Sequence, residues 1–164
     1  MTGVNGRSVF VRRQNKMKYI GFELEDEAEE WARERLGLDN PPEFFRAFSA
    51  VNNQGEFVCV VIMTNFTSRN IDLAIAIDNK KVRPRETIVM FNEIFGFIFN
   101  KLHVARVTGL LRGKNTQAKR LNEHFGFQLE GIMRKSFEDD DDLHIYGFLK
   151  EDYYSHKWFR GQTK

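Results

Sequence analysis

Two strand patterns separated by a long apolar helix pattern occupy residues 70–111 of this 164-residue chain. Over Asn70–Asp78, large aliphatic side chains alternate with small or acidic ones, which predicts a strand. Pro84 suits the first turn of a helix, and apolar residues recur at helical spacing from there to Leu102. Val104–Leu111 predicts a second strand. Because a strand, a helix and a strand usually connect as a right-handed unit, we predict that the two strands are parallel.

The other patterns predict antiparallel strands at the start of a mixed sheet. Glu25–Leu36 has the spacing of a helix and is followed by Gly37, which favours a helix end. Phe44–Val51 and Glu56–Thr64 predict a hairpin. A short helix and two strands are predicted over Asn115–Phe125, Phe127–Phe137 and His144–Leu149. The predicted order α-β-β-β-α-β-α-β-β is an α/β fold with antiparallel N-terminal strands and a central parallel βαβ unit.

Nothing in the sequence divides the chain, so we expect a single domain over residues 1–164, with a basic N-terminal segment (1–22) and an aromatic C-terminal tail (150–164) that covers the sheet edge. The single cysteine, Cys59, excludes an intrachain disulfide, and the four histidines lack metal-ligand spacing. The longest apolar run, Phe57–Met63, is far shorter than the roughly 20 residues that span a bilayer. These features favour a metal-free, cytoplasmic protein without a secretory signal or a membrane partner.

The net charge of +2 is the sum of separate clusters of basic and of acidic residues. Basic residues of 80–85 and of 112–120 follow the two strands of the βαβ unit, where sheets of this kind bind ligands. Both clusters lead into helix N-termini, which attract phosphate groups, so we predict a polyanionic ligand across the split between the strands. The small residues Ala74 and Ala76 predict close packing by either a helix or a ligand. The acidic run Glu138–Asp142 either attracts a cationic acceptor or is a solvated hairpin tip.

A series of motifs runs through the second half of the chain: Asn115-x-x-Ala118-x-x-Leu121, Phe125-Gly126-Phe127, Glu130-Gly131-Ile132-Met133-Arg134 and Tyr146-Gly147. This series resembles the GNAT superfamily of acetyl-CoA-dependent N-acetyltransferases, in particular its branch of ribosomal-protein and N-terminal acetyltransferases. The similarity covers residues 20–150 and is strongest over 103–149.

The resemblance implies that acetyl-CoA binds along the first strand of the βαβ unit, over Ile71–Ile77, and across the adjoining helix N-termini. Backbone groups of Ile75, Ala76 and Ile77 would pair with the pantetheine amides, and Asn115 would also bond this arm. The helix beginning near Pro84 would hold the pyrophosphate, and Arg112, Lys114, Lys119 or Arg120 would meet the adenosine phosphates. The candidate cofactor-binding residues are Ile75, Ala76, Ile77, Arg83, Arg85, Thr87, Asn115, Ala118 and Lys119. An amine would attack the thioester from the opposite side, and the loops around 37–43 and 137–143 would choose this acceptor.

The sequence departs from the family pattern in two places. The phosphate loop is degenerate, because Pro84 and Glu86 stand where the family usually has glycines. Asn122 stands where many members have a tyrosine that protonates the leaving thiolate, and an amide cannot deliver a proton at neutral pH. Other candidate catalytic groups are Tyr146, which shares a strand face with His144, and Asp72, which could accept a proton from the amine.

The sequence therefore predicts an N-acetyltransferase that acts on a primary amine of a protein or small molecule. The alternative is a catalytically inactive protein of the same fold that binds a protein partner, which the altered phosphate loop and Asn122 favour. Nucleic-acid binding through residues 1–22 is disfavoured, because the rest of the chain is near neutral. The aromatic tail is compatible with a homodimer.

Overall fold

A computed structural model describes residues 17–159, so most of the basic segment 1–22 and the end of the aromatic tail lie outside the described residues. Within that range, seven strands form one sheet in the order β1-β2-β3-β4-β5-β7-β6. The elements in chain order are β1 Lys18–Gly21, α1 Glu25–Leu36, β2 Arg46–Val51, β3 Phe57–Thr64, β4 Asn70–Ile77, α2 Pro84–Gly96, a π-helical segment Phe97–Lys101, β5 Arg106–Arg112, α3 Thr116–His124, β6 Gln128–Met133, β7 Leu143–Leu149 and α4 Lys150–Ser155.

Strands β4 and β5 are parallel, and the other neighbouring strands of the described sheet are antiparallel. The mixed sheet with a central parallel pair is therefore confirmed. The pairing of β4 with β5 runs from Asn70 opposite Arg106 to Leu73 opposite Gly109. On its other side β4 stays paired with β3 as far as Ile77. The two parallel strands thus separate beyond Leu73, and this separation positions the site described below.

Helix α2 packs its apolar face on one side of the sheet and forms the larger core. Its Phe91 stacks on Phe125, with ring centroids 4.1 Å apart, and Phe95 contacts five further aromatic rings. Tyr153 and Phe159, both buried, complete this core from the C-terminal end. The tail that we expected to cover the sheet edge instead forms the short helix α4 and inserts aromatic side chains under α2.

Helix α1 covers the opposite face of the sheet beside β4. Its Ala28 and Ala32 are fully buried and pack in one cluster with Ala76 of β4. Small residues on both surfaces let the helix approach the sheet closely. Of the two alternatives for the Ala74 and Ala76 face, a helix or a ligand, the structure shows the helix, and both residues also border cavities described below.

Strand β1 and helix α4 are two elements that the sequence patterns did not predict. Strand β1 has only four residues, begins with an exposed lysine and shows little alternation of polar and apolar side chains. Helix α4 has six residues, too few for a helical period to be recognised. The predicted strand over Phe127–Phe137 ends earlier, at Met133, because the chain turns toward the acidic run.

The Glu-Gly and Tyr-Gly motifs meet across strand β7. The Glu130 carboxylate of β6 lies directly over Gly147 of β7, in space that a Cβ atom would occupy. It reaches Arg106 of β5, where the guanidinium Nη2 lies 2.6 Å from Glu130 Oε2. The absence of a side chain at Gly147 therefore allows an ion pair to span three strands.

Within residues 17–159, none of the helices is long and apolar enough to cross a membrane. Over the same range there is no cluster of three or more histidine, cysteine or acidic side chains placed to hold a metal ion.

Candidate active site

The gap between β4 and β5 is the central feature of the candidate site. Beyond Leu73 the described part of β5 offers β4 no pairing partner, while β5 itself continues antiparallel to β7 as far as Arg112. Strand β3 pairs with only one edge of β4. The backbone groups of Ile75, Ala76 and Ile77 that point from the opposite edge, toward the gap, are therefore available to a ligand.

A first cavity of about 670 Å³ opens on one side of this gap. It lies between the end of β4, the end of α1 and one face of α3. Its lining includes five of the predicted cofactor-binding residues, which are Ile75, Ala76, Ile77, Asn115 and Ala118. The side chains of Arg35, Arg120 and His124 also line it and add positive or polar character.

Asn115 forms the N-cap of α3. Its Oδ1 accepts a hydrogen bond from the Ala118 backbone N–H at 3.0 Å, which satisfies a donor that the helix leaves free. Because the cap uses the side-chain oxygen, the amide nitrogen is the group that Asn115 can offer a ligand in the first cavity. Lys119, one position beyond Ala118, does not belong to the cavity lining.

The predicted phosphate segment does not line the first cavity. The N-terminus of α2 is capped by its own chain, since the Arg83 backbone N–H donates to Glu86 Oε2 at 2.9 Å. The Arg83 guanidinium also pairs with the same carboxylate at 3.3 Å, and the buried Thr87 hydroxyl donates to the Arg83 carbonyl oxygen. Arg85 is exposed beside them. Glu86 thus places a negative charge at the helix end where the resemblance implies a pyrophosphate.

A small cavity of about 20 Å³ lies where β4 and β5 begin to separate. Buried Asn122 lines it together with Leu73 and Gly109. This places one of the three candidate catalytic side chains at the apex of the gap.

The other two candidates are engaged elsewhere. Buried Tyr146 donates its hydroxyl to Glu123 Oε1 at 3.1 Å; burial, together with this carboxylate, raises the pKa of the tyrosine. The Asp72 carboxylate accepts hydrogen bonds from the side-chain amides of Asn65 and Asn70, each at 2.7 Å. Tyr146 thus connects β7 to α3, and Asp72 connects β4 to the loop that precedes it.

A second cavity of about 400 Å³ borders the gap through Ala74 of β4 and Leu110–Arg112 of β5. It shares Leu36 and Asn115 with the first cavity, so the two openings meet around these residues. Both loops that the resemblance connects with the acceptor contribute to it, through Leu38 and Asp39 of one and Phe137 of the other. No sequence motif marks this lining, because its apolar residues come from loops and strands that only the fold brings together.

Arg112 belongs to this second cavity and not to the first. Its guanidinium donates to the Gly37 carbonyl oxygen, pairs with Asp139 at 2.9 Å and lies 3.9 Å from the centre of the Phe137 ring. The hydrogen bond from Arg112 holds the pKa of Asp139 below its usual value. The side chain therefore ties the two acceptor loops together.

Most of the acidic run is engaged by nearby basic residues. Asp139 also pairs with Lys114, Asp140 pairs with Lys135 at 3.6 Å, and Asp142 accepts the Lys135 backbone N–H at 2.9 Å. The Lys114 backbone N–H donates to buried Asp141. Glu138, Asp139 and Asp140 are exposed, so the run is a solvated tip whose charge is partly offset by Arg112, Lys114 and Lys135.

Comparison with known proteins identifies the class of fold. No protein-family model and no curated protein sequence match this chain. Spermidine N-acetyltransferase from Vibrio cholerae, solved with CoA and spermine, superposes with a TM-score of 0.66 at 16% identity over 84% of this chain and 97% of that chain.

Two further structures agree. The same Vibrio cholerae enzyme in a dodecameric form gives a TM-score of 0.59 at 19% identity over 79% of this chain and 77% of that chain. A protein from Acinetobacter baylyi, provisionally assigned as an acetyltransferase, superposes with a TM-score of 0.65 at 14% identity. The match covers 82% of this chain and 93% of that chain. The chain thus has the GNAT fold of these acetyltransferases, and the predicted fold class is confirmed.

Proposed function

We propose that the protein transfers the acetyl group of acetyl-CoA to a primary amine of a protein or small molecule. The observation that carries the proposal is the gap between β4 and β5, which is bordered by the first and the second cavity. A thioester that enters the gap from the first cavity is accessible to a nucleophile in the second. The GNAT fold and the CoA bound in a structural neighbour support the same chemistry.

In this proposal acetyl-CoA occupies the first cavity. The pantetheine amides pair with the free backbone side of Ile75–Ile77, in the manner of an added strand, and the Asn115 amide nitrogen donates to the same arm. Exposed Arg120 supplies positive charge for a phosphate, because it forms no ion pair within the described residues. Arg35 also lines the cavity but shares its charge with Asp78 at 3.4 Å.

The reaction is a direct transfer. The neutral amine nitrogen attacks the thioester carbonyl carbon, a C–N bond forms, the C–S bond breaks and the thiolate leaves. Because Tyr146 and Asp72 are engaged elsewhere, water accepts the amine proton and water protonates the thiolate. The protein contributes mainly by holding the two reactants in line, and the Asn122 amide can donate a hydrogen bond at the apex.

Calorimetric titration with acetyl-CoA, combined with an assay of thiol release in the presence of amines, tests this proposal. Ala118→Trp places a large ring in the first cavity and is expected to abolish acetyl-CoA binding. Thr116→Trp is the matched control, because Thr116 is exposed on the same helix and does not line the cavity. Thermal unfolding of both variants verifies the fold. Failure of the natural chain to bind acetyl-CoA at millimolar concentration would overturn the proposal.

The Glu86 carboxylate at the start of α2 favours a second candidate, a non-catalytic protein of the same fold that binds a protein partner. The two candidates differ in turnover. Binding of acetyl-CoA with no thiol release for any amine would favour this second candidate, while amine-dependent release would exclude it.

A further inference from the structure

The second cavity combines an apolar wall with a single carboxylate. Resting on the proposed function, we propose that this cavity selects a monocationic primary amine attached to an apolar or aromatic group, and that it discriminates against polyamines.

The wall of the second cavity is mostly aliphatic and aromatic. It includes Leu36, Leu38, Leu110, Phe137 and Leu143, contributed by the end of α1, strands β5 and β7 and both acceptor loops. Such a wall stabilises an apolar substituent by removing it from water, and the polar groups of Asn40, Thr64 and Ser136 lie among the rest of the lining. With a volume of about 400 Å³, the cavity lies within the range usual for small-ligand sites, roughly 300–1,000 Å³.

Asp39 supplies the only carboxylate among the described residues that line this cavity. It is exposed and forms no ion pair with another residue of 17–159. One uncompensated carboxylate matches one ammonium group and draws it toward the cavity. Asp39 is therefore a specificity-determining residue that acts on encounter and binding, before the amine loses its proton and reacts.

A polyamine carries three or four ammonium groups and needs several carboxylates to hold them. Glu43, next to Pro42 of the cavity lining, is one further carboxylate without an ion pair within residues 17–159. In the acidic run, Asp139–Asp141 are paired with Arg112, Lys114 and Lys135. Arg112 itself lines the cavity, so a second ammonium group would meet a guanidinium there. Spermine is bound in a structural neighbour, whereas this arrangement of charge favours a single ammonium group.

A third cavity of about 540 Å³ continues the second one, and the two share Pro42 and Thr64. Phe44 and Phe66 line it with 78% and 47% of their surfaces exposed, beside the polar side chains of Glu43, Thr64 and Asn65. Exposed aromatic rings in a groove bind apolar groups, so this groove extends the apolar surface available to the acceptor. The same chemistry is found in a free arylalkylamine and in the N-terminal residue of a peptide.

Thiol-release kinetics with two sets of amines test the inference. The free-amine set contains 2-phenylethylamine, ethylamine and spermidine; the peptide set contains lysine-free pentapeptides that begin with Phe, Gly or Asp. In at least one set, we expect kcat/KM for the aromatic member to exceed that of each other member by about tenfold. This is the order of discrimination that apolar pockets usually reach. The set with the higher value distinguishes a small-molecule acceptor from a peptide N-terminus.

Two substitutions locate the effect. Asp39→Asn is expected to raise the amine KM severalfold while leaving the Kd for acetyl-CoA unchanged, and Leu38→Gln to remove most of the preference for the aromatic amine. Glu34→Gln, an exposed residue of α1 that lines none of these cavities, is the matched control. Thermal midpoints of all three verify folding.

The outcomes separate the two proposals. Acetyl-CoA binding with spermidine as the equal or better substrate would overturn this inference and leave the acetyltransferase proposal intact. Acetylation of apolar amines with no change of KM in Asp39→Asn would overturn the role of Asp39. Acetylation of no amine in either set would overturn both proposals.

Discussion

The Arg112 guanidinium donates two hydrogen bonds to the Gly37 carbonyl oxygen, from Nη2 at 2.6 Å and from Nε at 3.0 Å. Gly37 ends α1 in the left-handed region, with φ near 61°, a conformation that glycine adopts without strain. Arg112 is the last residue of β5 and also pairs with Asp139. One side chain thus connects the end of α1, the end of a central strand and the acidic loop, and it fixes the rim of the second cavity.

Arg112→Ala is expected to release this rim. Loss of two charge-assisted hydrogen bonds to one carbonyl oxygen lowers the free energy of unfolding by about 1–2 kcal/mol. Because both acceptor loops lose a shared partner, the amine KM rises by more than the Kd for acetyl-CoA. Arg112→Lys keeps the charge but not the planar guanidinium, so its free energy of unfolding and its amine KM should lie between those of the natural protein and of Arg112→Ala. A larger effect on acetyl-CoA than on the amine would assign Arg112 to the cofactor side instead.

The fold was predictable where a periodic pattern was long and the side chains on the two faces of the strand or helix differed strongly in character. The strand over Asn70–Ile77 and the helix starting at Pro84 meet both conditions, and the parallel pairing of β4 with β5 followed from their order. Strand β1 and helix α4 were missed because each is short and acquires its stability from tertiary packing, as the buried Tyr153 illustrates.

A double-mutant cycle at Gly147 and Glu130 tests the ion pair that crosses β7. Gly147→Ala puts a methyl group where the Glu130 carboxylate lies, so it displaces that carboxylate from Arg106. In a Glu130→Ala background the same methyl group meets no carboxylate. Because the pair is partly exposed, we expect the cycle to give a coupling of about 0.5–1 kcal/mol in chemical denaturation. Strictly additive effects would show that the carboxylate does not occupy this position in solution.

Alkaline pH is expected to destabilise the protein through Cys59. Burial in β3 raises the pKa of this thiol well above its ordinary value of 9.0. Below pH 9 both the folded and the unfolded thiol are neutral, and this contribution to stability is complete. Above pH 9 the unfolded thiol ionises while the folded thiol stays neutral, so the free energy of unfolding falls, and about one unit above pH 9 the slope approaches about 1.4 kcal/mol per pH unit.

Cys59→Val provides the comparison for that slope, because valine is apolar and does not titrate. Denaturant unfolding between pH 9 and 10 avoids most of the contribution of Tyr19, whose pKa burial raises to about 12. As the pH rises, the free energy of unfolding of the natural protein should fall relative to that of Cys59→Val. Equal slopes, or rapid modification of Cys59 by a thiol reagent in the folded protein at pH 8, would contradict the prediction.

Glu86→Gln is expected to strengthen acetyl-CoA binding about threefold. The glutamine oxygen can still accept the Arg83 backbone N–H, so the cap of α2 remains, while the negative charge near a bound polyanion is removed. Glu93→Gln, exposed farther along the same helix, is the matched control and should leave the Kd unchanged. An unchanged Kd in Glu86→Gln, measured calorimetrically at low salt, would place the phosphates away from this helix end.

The site was less predictable than the fold because its parts depend on where side chains are already engaged. The motif residues Asn115 and Ala118 line the first cavity, and their spacing alone placed them on one helix face. By contrast, sequence spacing gave no sign that Asp72 is held by Asn65 and Asn70, or that Arg112 turns to the acceptor side. Hydrogen-bond partners far apart in sequence determine these orientations, and composition carries no record of them.

Asn122→Ala is expected to lower kcat by less than about tenfold, whereas loss of a general acid typically costs 10²–10⁴. Asn122 is buried at the apex of the gap, where its amide can stabilise a thiolate by a hydrogen bond but cannot protonate it. Single-turnover thiol release isolates this step, and the acetyl-CoA Kd and thermal midpoint separate it from losses in binding or folding. A hundredfold decrease in kcat with an unchanged Kd would make Asn122 essential to protonation, through a water molecule that it holds in place.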